Sequence, residues 1–192
     1  KNVKGFGCTI FRKNYKQIFA QGGLWDEAQK MYHGINGAQR KISDGTWSFR
    51  DKDGNEVSKV SFAHIERSEE LDNWQGAQIC EIGFDELTHF TESQFTYLLS
   101  RIRGTNGFPK QVKATTNPGG VGHQWVKSRF IDSMPPDTVR EFGGGTRLFL
   151  PARLGDNPFL RKADAGYEKR LKLLSPTDRK ALLDGVWELN EG

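Results

Sequence analysis

Cysteine is scarce in this sequence: Cys8 and Cys80 are the only two among 192 residues. Both sit in apolar runs, so they read as reduced core side chains, as in a protein from a reducing compartment. Two separated thiols also fall short of the roughly four ligands of a structural metal site. His64, His89 and His123 share no metal-ligand spacing. No apolar run approaches the ~18 residues of a membrane span, and no signal-like segment opens the chain. Also missing is the phosphate-loop pattern G-x-x-x-x-G-K-S/T. Gly119-Gly120-Val121-Gly122 has the glycines without the lysine, and the glycine run 143–145 precedes no Lys-Ser/Thr. No repeat or low-complexity linker divides the chain. The first residue is Lys rather than Met, so the natural reading frame is expected to start upstream.

What is present fits a globular protein of about one domain, 1–192. Apolar residues make up 35% and charged residues 27%, ordinary for a soluble fold. The net charge of +4 is unevenly spread. Residues 1–41 carry Lys1, Lys4, Arg12, Lys13, Lys16, Lys30, Arg40 and Lys41 against Asp26 and Glu27, whereas in 66–92 the one cation is Arg67. A basic end suggests an anionic partner such as nucleic acid, or else a solvated face.

Along the chain, GCTIFRK (7–13) reads as a buried strand. Residues 14–33 have helical spacing, interrupted at Gly22-Gly23. TWSFRDKDGNEVSKVSF (46–62) alternates apolar and polar residues around Asp53-Gly54, which predicts a β-hairpin. ICEIGF (79–84) predicts a strand apolar on both faces, as in the middle of a parallel sheet. Thr91-x-x-Gln94 forms a capping box opening a helix through 94–103. QVKATTN (111–117) predicts the next strand, GHQWVKSRFI (122–131) a helix, and TRLFLPARL (146–154) a further strand. Beyond Asp156-Asn157-Pro158 the stretch 156–192 turns helical, its last helix capped by Ser175-Pro176-x-Asp178. Trp25, Trp47, Trp125 and Trp187 fall on these patterns and read as core. Trp74 is the exception, placed at an interface. Strands alternating with helices give an α/β fold with a mainly parallel sheet, whose ligands bind at the carboxyl ends of the strands.

Two polar strand ends then fall on one rim. An apolar strand ending in Asp85-Glu86 supplies what nucleotide hydrolysis needs: a carboxylate near Mg2+, through water, and a second that reaches the γ-phosphate as general base. Thr115, Thr116 and Asn117 end the next strand, where hydroxyl and amide groups can hydrogen-bond a γ-phosphate and report its loss. Either feature alone is equally a helix cap or a turn. Together they favour a nucleotide site for ATP and Mg2+. Without a phosphate cradle, the chain by itself is expected to bind ATP poorly. Arg12 ends the first strand, either near the nucleotide or at the surface.

The stretches IFRKNYKQI, LDNWQGAQICEIGFDELTHFTESQFTYLLSRIRG, ATTNPGGVGHQWVKSRFI, DNPFL and LLDGVWELNEG, in that order, resemble the ATPase domain of tailed-bacteriophage terminase large subunits. The resemblance runs over nearly the whole chain. It implies a P-loop-NTPase-like fold of the additional-strand catalytic-glutamate type, with the 46–62 hairpin as an insertion. A phosphate-loop segment would lie upstream and a nuclease domain downstream. It gives Asp85 the metal-binding role, Glu86 the catalytic one, and Thr115-Thr116-Asn117 the coupling of hydrolysis to movement. Many terminases carry an arginine finger where Gln75 stands here, which leaves Arg67, Arg101 and Arg103 as candidates for a finger or DNA contact. Implied partners are double-stranded DNA, the portal, the small terminase subunit and further copies in a ring, in the host cytoplasm and at the procapsid portal, with no membrane. The alternatives are a helicase or translocase core, and an inactive prophage remnant with a structural or DNA-binding role.

Overall fold

A computed structural model describes residues 4–104, 107–143 and 145–188. Contacts divide the chain into two compact units, 1–115 and 116–192. The last four residues of LLDGVWELNEG, like Lys1, lie outside the described part.

The first unit is built on a six-stranded sheet in the order β2-β3-β4-β1-β5-β6. Its strands are β1 (Phe6–Arg12), β2 (Ala38–Lys41), β3 (Thr46–Arg50), β4 (Glu56–His64), β5 (Glu81–Asp85) and β6 (Gln111–Thr115). β4, β1, β5 and β6 run parallel, and β3 and β2 extend the β4 side antiparallel. The predicted hairpin is therefore part of the main sheet, because its second strand pairs with β1 along the whole of β1, from Phe6↔Ser58 to Arg12↔His64. Its turn is held by Asp51, whose Oδ1 accepts from the amides of Asp53 and Asn55, both at 2.9 Å.

Around β1 both faces carry buried side chains. On one, Ile10, Trp47 and Phe62 meet Ile18 of α1 (Tyr15–Ile18) and Trp25 and Ala28 of α2 (Leu24–Tyr32). The predicted break between these helices falls at Gly22, whose φ of +72° costs a glycine little. On the other face Phe11 stacks on Phe84 at 5.9 Å, and Phe84 meets Phe90 and Phe95 at 5.3 and 5.2 Å. Trp74, expected at an interface, packs edge-on to Phe11 at 4.8 Å and belongs to this core. The close fit of β1 and β5 needs Gly83, where a Cβ would meet the Ile10 side chain at 3.1 Å.

β5 departs from the expectation of two apolar faces. Ile82 and Phe84 are buried, while Glu81, Gly83 and Asp85 alternate with them on a half-open face where Glu81 pairs with Lys113 of β6 at 3.0 Å. β6 itself is bonded to β5 alone among the described residues, and its side chains are mostly exposed. Helix α3 (Glu92–Leu99) begins at the predicted capping box: the Thr91 hydroxyl accepts from the Gln94 amide at 3.2 Å, and Gln94 Oε1 from the Thr91 amide at 3.1 Å. It ends before the expected 103, because residues 101–103 leave it to bridge Ile79. The Ile79 amide donates to Arg101 O at 3.0 Å and the Arg103 amide to Ile79 O at 3.2 Å.

In the second unit α4 (His123–Val126) runs into a wider turn of π type, Lys127–Ile131. The strand expected over 146–154 is confined to β8 (Gly145–Arg147), antiparallel to β7 (Arg140–Phe142). Pro151 has no amide to extend the ladder. Three short helices follow: α5 (Pro158–Ala163), α6 (Tyr167–Leu171) and α7 (Pro176–Leu182). Asn157 caps α5 and Ser175 caps α7, each with proline in the first turn. Trp187 is buried and stacks on the His123 ring at 5.4 Å. No helix among the described residues is long and apolar enough to cross a membrane.

Candidate functional site

Parallel strands bring their carboxyl ends to one rim. His64 ends β4, Arg12 ends β1, Asp85 ends β5 and Thr115 ends β6, with His64 opposite Arg12 and Asp85 opposite Thr115. Across the three strands β1, β5 and β6 a single polar line forms. The Arg12 guanidinium makes an ion pair with Asp85 Oδ2, and the Thr115 hydroxyl donates to Asp85 Oδ1 at 2.8 Å. The two charged side chains are 23% and 19% exposed, so the pair is only partly screened by water. Arg12 Nε also donates to Gln17 Oε1 of α1 at 3.3 Å.

Glu86, the next residue, is handled differently. Its carboxylate makes no hydrogen bond or ion pair among the described residues, and it is half-buried. Its backbone is left-handed, φ 59° and ψ 62°, one of two such non-glycine residues described. That conformation costs an L-residue about 1–2 kcal/mol and persists only when surroundings impose it. Here the surroundings are clear: Phe84, Leu87, Thr88 and Phe90 are all at most 2% exposed. Buried anchors on either side, one before and three after, thus hold the turn that lifts Glu86 from the end of β5. One carboxylate is tied down and its neighbour is held ready.

Of the three residues Thr115, Thr116 and Asn117, Thr115 joins the carboxylate line. Thr116 and Asn117 follow it directly and open the second unit, where the Thr116 hydroxyl donates to Asn117 O at 3.1 Å. The arginine candidates separate. Arg101 and Arg103 flank Ile79 at the amino-terminal end of β5, some six residues or roughly 20 Å of strand from Asp85. Arg103 donates to Ala77 O and Gly76 O at 3.0 and 2.8 Å, and Arg101 lies over the Tyr97 ring at 5.0 Å. Arg67 follows the end of β4, is exposed, and stands on the same rim as the carboxylates.

Sequence reasoning missed Lys13. It lies beyond the end of β1, donates to Gln94 Oε1 at 3.2 Å and sits over the Phe90 ring. Burial lowers its pKa from the ordinary lysine value, against the opposing pull of Glu70 and Glu66. Two adjacent cations at a strand end were the available signal. His64 faces Glu70 at 3.9 Å and the Tyr15 ring at 5.3 Å.

The residues suit one kind of cation. Among the described residues no cluster of three or more His, Cys, Asp or Glu forms a protein cage. Mg2+ instead keeps most of its water and takes one or two carboxylates plus phosphate oxygens, which Asp85 at an open rim, with Glu86 beside it, can provide.

Residues 8–192 match the family described as terminase large subunit, T4likevirus-type, N-terminal. A search of curated proteins returned no match. Among solved structures, the large terminase of a thermophilic bacteriophage in complex with ADP is similar at 15% identity and a TM-score of 0.70, over 96% of this chain and 41% of that one. The same terminase with ATP-gamma-S aligns at 16% identity and 0.68, over 96% and 40%. A point mutant of the large terminase ATPase domain of Thermus phage P74-26 aligns at 13% identity and 0.52, over 95% and 77%. At these identities the likeness is one of fold. The chain spans about two fifths of the thermophilic phage's protein.

Proposed function

This chain belongs to the N-terminal family of T4likevirus-type terminase large subunits, and from that premise we propose that its carboxylate rim is the metal- and water-handling half of an ATP site in a DNA-packaging motor. The observation that carries this reading is the pair at the end of β5, with Asp85 engaged on both oxygens and the Glu86 carboxylate, in a left-handed turn, without a partner among the described residues. A magnesium ion held at this rim would supply positive charge against the phosphate oxygens. Asp85 would hold the ion through water, and Thr115 fixes that carboxylate. Glu86 accepts the proton of the attacking water at a carboxylate oxygen, a role that needs a base with no competing partner. Thr116 and Asn117 sense the γ-phosphate and couple its loss to movement.

The phosphate cradle comes from a segment beside the open edge of β6, since this chain carries no such pattern. In the assembled motor the subunits form a ring on the portal in the host cytoplasm, with the small subunit, and drive double-stranded DNA into the procapsid. Contacts to the duplex are lysine and arginine to phosphate, independent of sequence, because a motor must pass any sequence. Arg67, Arg101 and Arg103 serve a neighbouring subunit or the DNA. The alternative reading is an inactive remnant with a structural or DNA-binding role.

Mg-ATP hydrolysis decides between them, measured on this chain, on a version extended at its amino end to include a phosphate loop, and on Glu86→Gln in each. Turnover in the extended protein that falls about 10²–10⁴-fold in Glu86→Gln, with nucleotide binding kept, is expected. Turnover indifferent to Glu86 removes its role as base. No turnover in any form leaves the remnant.

A further inference from the structure

Asp85 poses a problem for any metal that is to use it. Both its oxygens are already taken, Oδ1 by the Thr115 hydroxyl at 2.8 Å and Oδ2 by the Arg12 guanidinium. The hydroxyl is no obstacle, because a carboxylate oxygen has further lone pairs and the threonine carries no charge. The guanidinium is one. A divalent cation at Oδ2 meets a fixed positive charge a few ångströms away in a partly buried site. The pair is held by a guanidinium fork shaped to grip a carboxylate, so Asp85 is released by moving Arg12. The structure also shows what keeps the arginine at the rim, since Nε is bonded to Gln17 Oε1 on α1.

We infer that Arg12 is a placeholder cation: it occupies Asp85 while no divalent ion is bound and yields the carboxylate when substrate phosphate draws the guanidinium away. This rests on the reading of Asp85 as the metal-side carboxylate. Guanidinium is well matched to phosphate, which it grips with two parallel hydrogen bonds, so the exchange trades one oxyanion partner for another. Two properties follow from the geometry. The free chain binds divalent cations weakly, because the ion competes with Arg12. Metal and triphosphate bind with positive coupling, because each removes what hinders the other. Arg12 is thus a positioning residue acting on Asp85, and it sets the order in which the site fills.

The test is Mn2+ binding to the full chain without nucleotide, by electron paramagnetic resonance or calorimetry. Arg12→Gln is expected to bind Mn2+ about tenfold tighter or more, since a charge-assisted hydrogen bond contributes ~1.5–3 kcal/mol and 1.4 kcal/mol is tenfold. Arg12→Lys, which keeps the charge, stays near the unsubstituted chain. Equal or weaker binding by a folded Arg12→Gln overturns the inference, as does a melting temperature that drops with no change in Mn2+ affinity, the mark of a purely structural ion pair. Asp85→Asn separates the two readings: binding that survives it removes Asp85 as the metal carboxylate altogether. A second measurement needs no folded Arg12 variant. The Arg12 Nε–H resonance of the unsubstituted chain should shift on saturation with Mg2+ and stay still in Asp85→Asn. An unmoved resonance at saturation overturns the placeholder role.

Discussion

Replacing Glu86 by glycine should remove the proposed base and stabilise the fold. In the left-handed region, φ 59° and ψ 62°, the Cβ of Glu86 crowds its own backbone at about 1–2 kcal/mol. Glycine escapes that cost but loses ~0.5–1 kcal/mol more chain entropy on folding. The half-buried glutamate side chain makes no bond among the described residues that would offset the difference. The net gain is therefore about 0.5–1 kcal/mol, or a rise of a few degrees in melting temperature for a protein of this size. Glu86→Gln keeps the Cβ and should melt like the parent. Glu86→Val, with a branch at Cβ, should lose at least ~1 kcal/mol. The assay is urea denaturation followed by tryptophan fluorescence, comparing midpoints at constant slope. The order Gly, then Glu and Gln together, then Val is the expectation. If glycine destabilises as much as valine, Glu86 does not hold the left-handed turn in solution, and the account of how its carboxylate is presented fails.

Three further tests probe the sheet beneath the rim. Gly83→Ala should cost ~1–3 kcal/mol by overpacking, since its Cβ meets Ile10 side-chain atoms at 3.1 and 3.3 Å; Ile10→Val in the same chain should recover part of the loss, and simple additivity would deny the contact. Phe84→Ala, which empties a site 1% exposed between Phe11, Phe90 and Phe95, should cost ~3–5 kcal/mol, and a loss under ~1 kcal/mol in a denaturant melt would mean the core is not packed this way. Burial pushes the Cys8 thiol from 9.0 up to about 12, with Glu81 adding to the effect. The unfolded chain then gives up this proton first, so folding stability should fall between pH 9 and 12. A Cys8→Ser variant measured across that window should lack this component of the slope.

Local chemistry made much of this legible in advance. The places of Asp85 and Thr115 at strand ends were readable because an apolar run stops at Asp85-Glu86 and a hydroxyl-rich end follows at Thr115. The capping box at Thr91 and Gln94, the break at Gly22 and the turn held by Asp51 and Gly54 also depend on neighbours in the chain. What stayed hidden depends on strand order. The Arg12–Asp85 pair joins residues 73 apart, and only the placement of β5 beside β1 brings them together. The early end of α3 follows from a bridge between Ile79 and Ile102, for which a helical pattern carries no sign. The overlong strand at 146–154 was a misreading of apolar spacing across Pro151.

The aromatic core beneath the rim has an optical consequence. Phe11 immediately precedes Arg12 in β1, and Phe84 immediately precedes Asp85 in β5; the two rings stack at 5.9 Å, and the Trp74 indole stands edge-on to Phe11 at 4.8 Å. A displacement of either charged residue reaches a ring one peptide unit away, and through it a half-buried indole whose emission follows its surroundings. Trp74, one of five tryptophans, is thus placed to report on the rim, and a Trp74→Phe variant separates its emission from the rest.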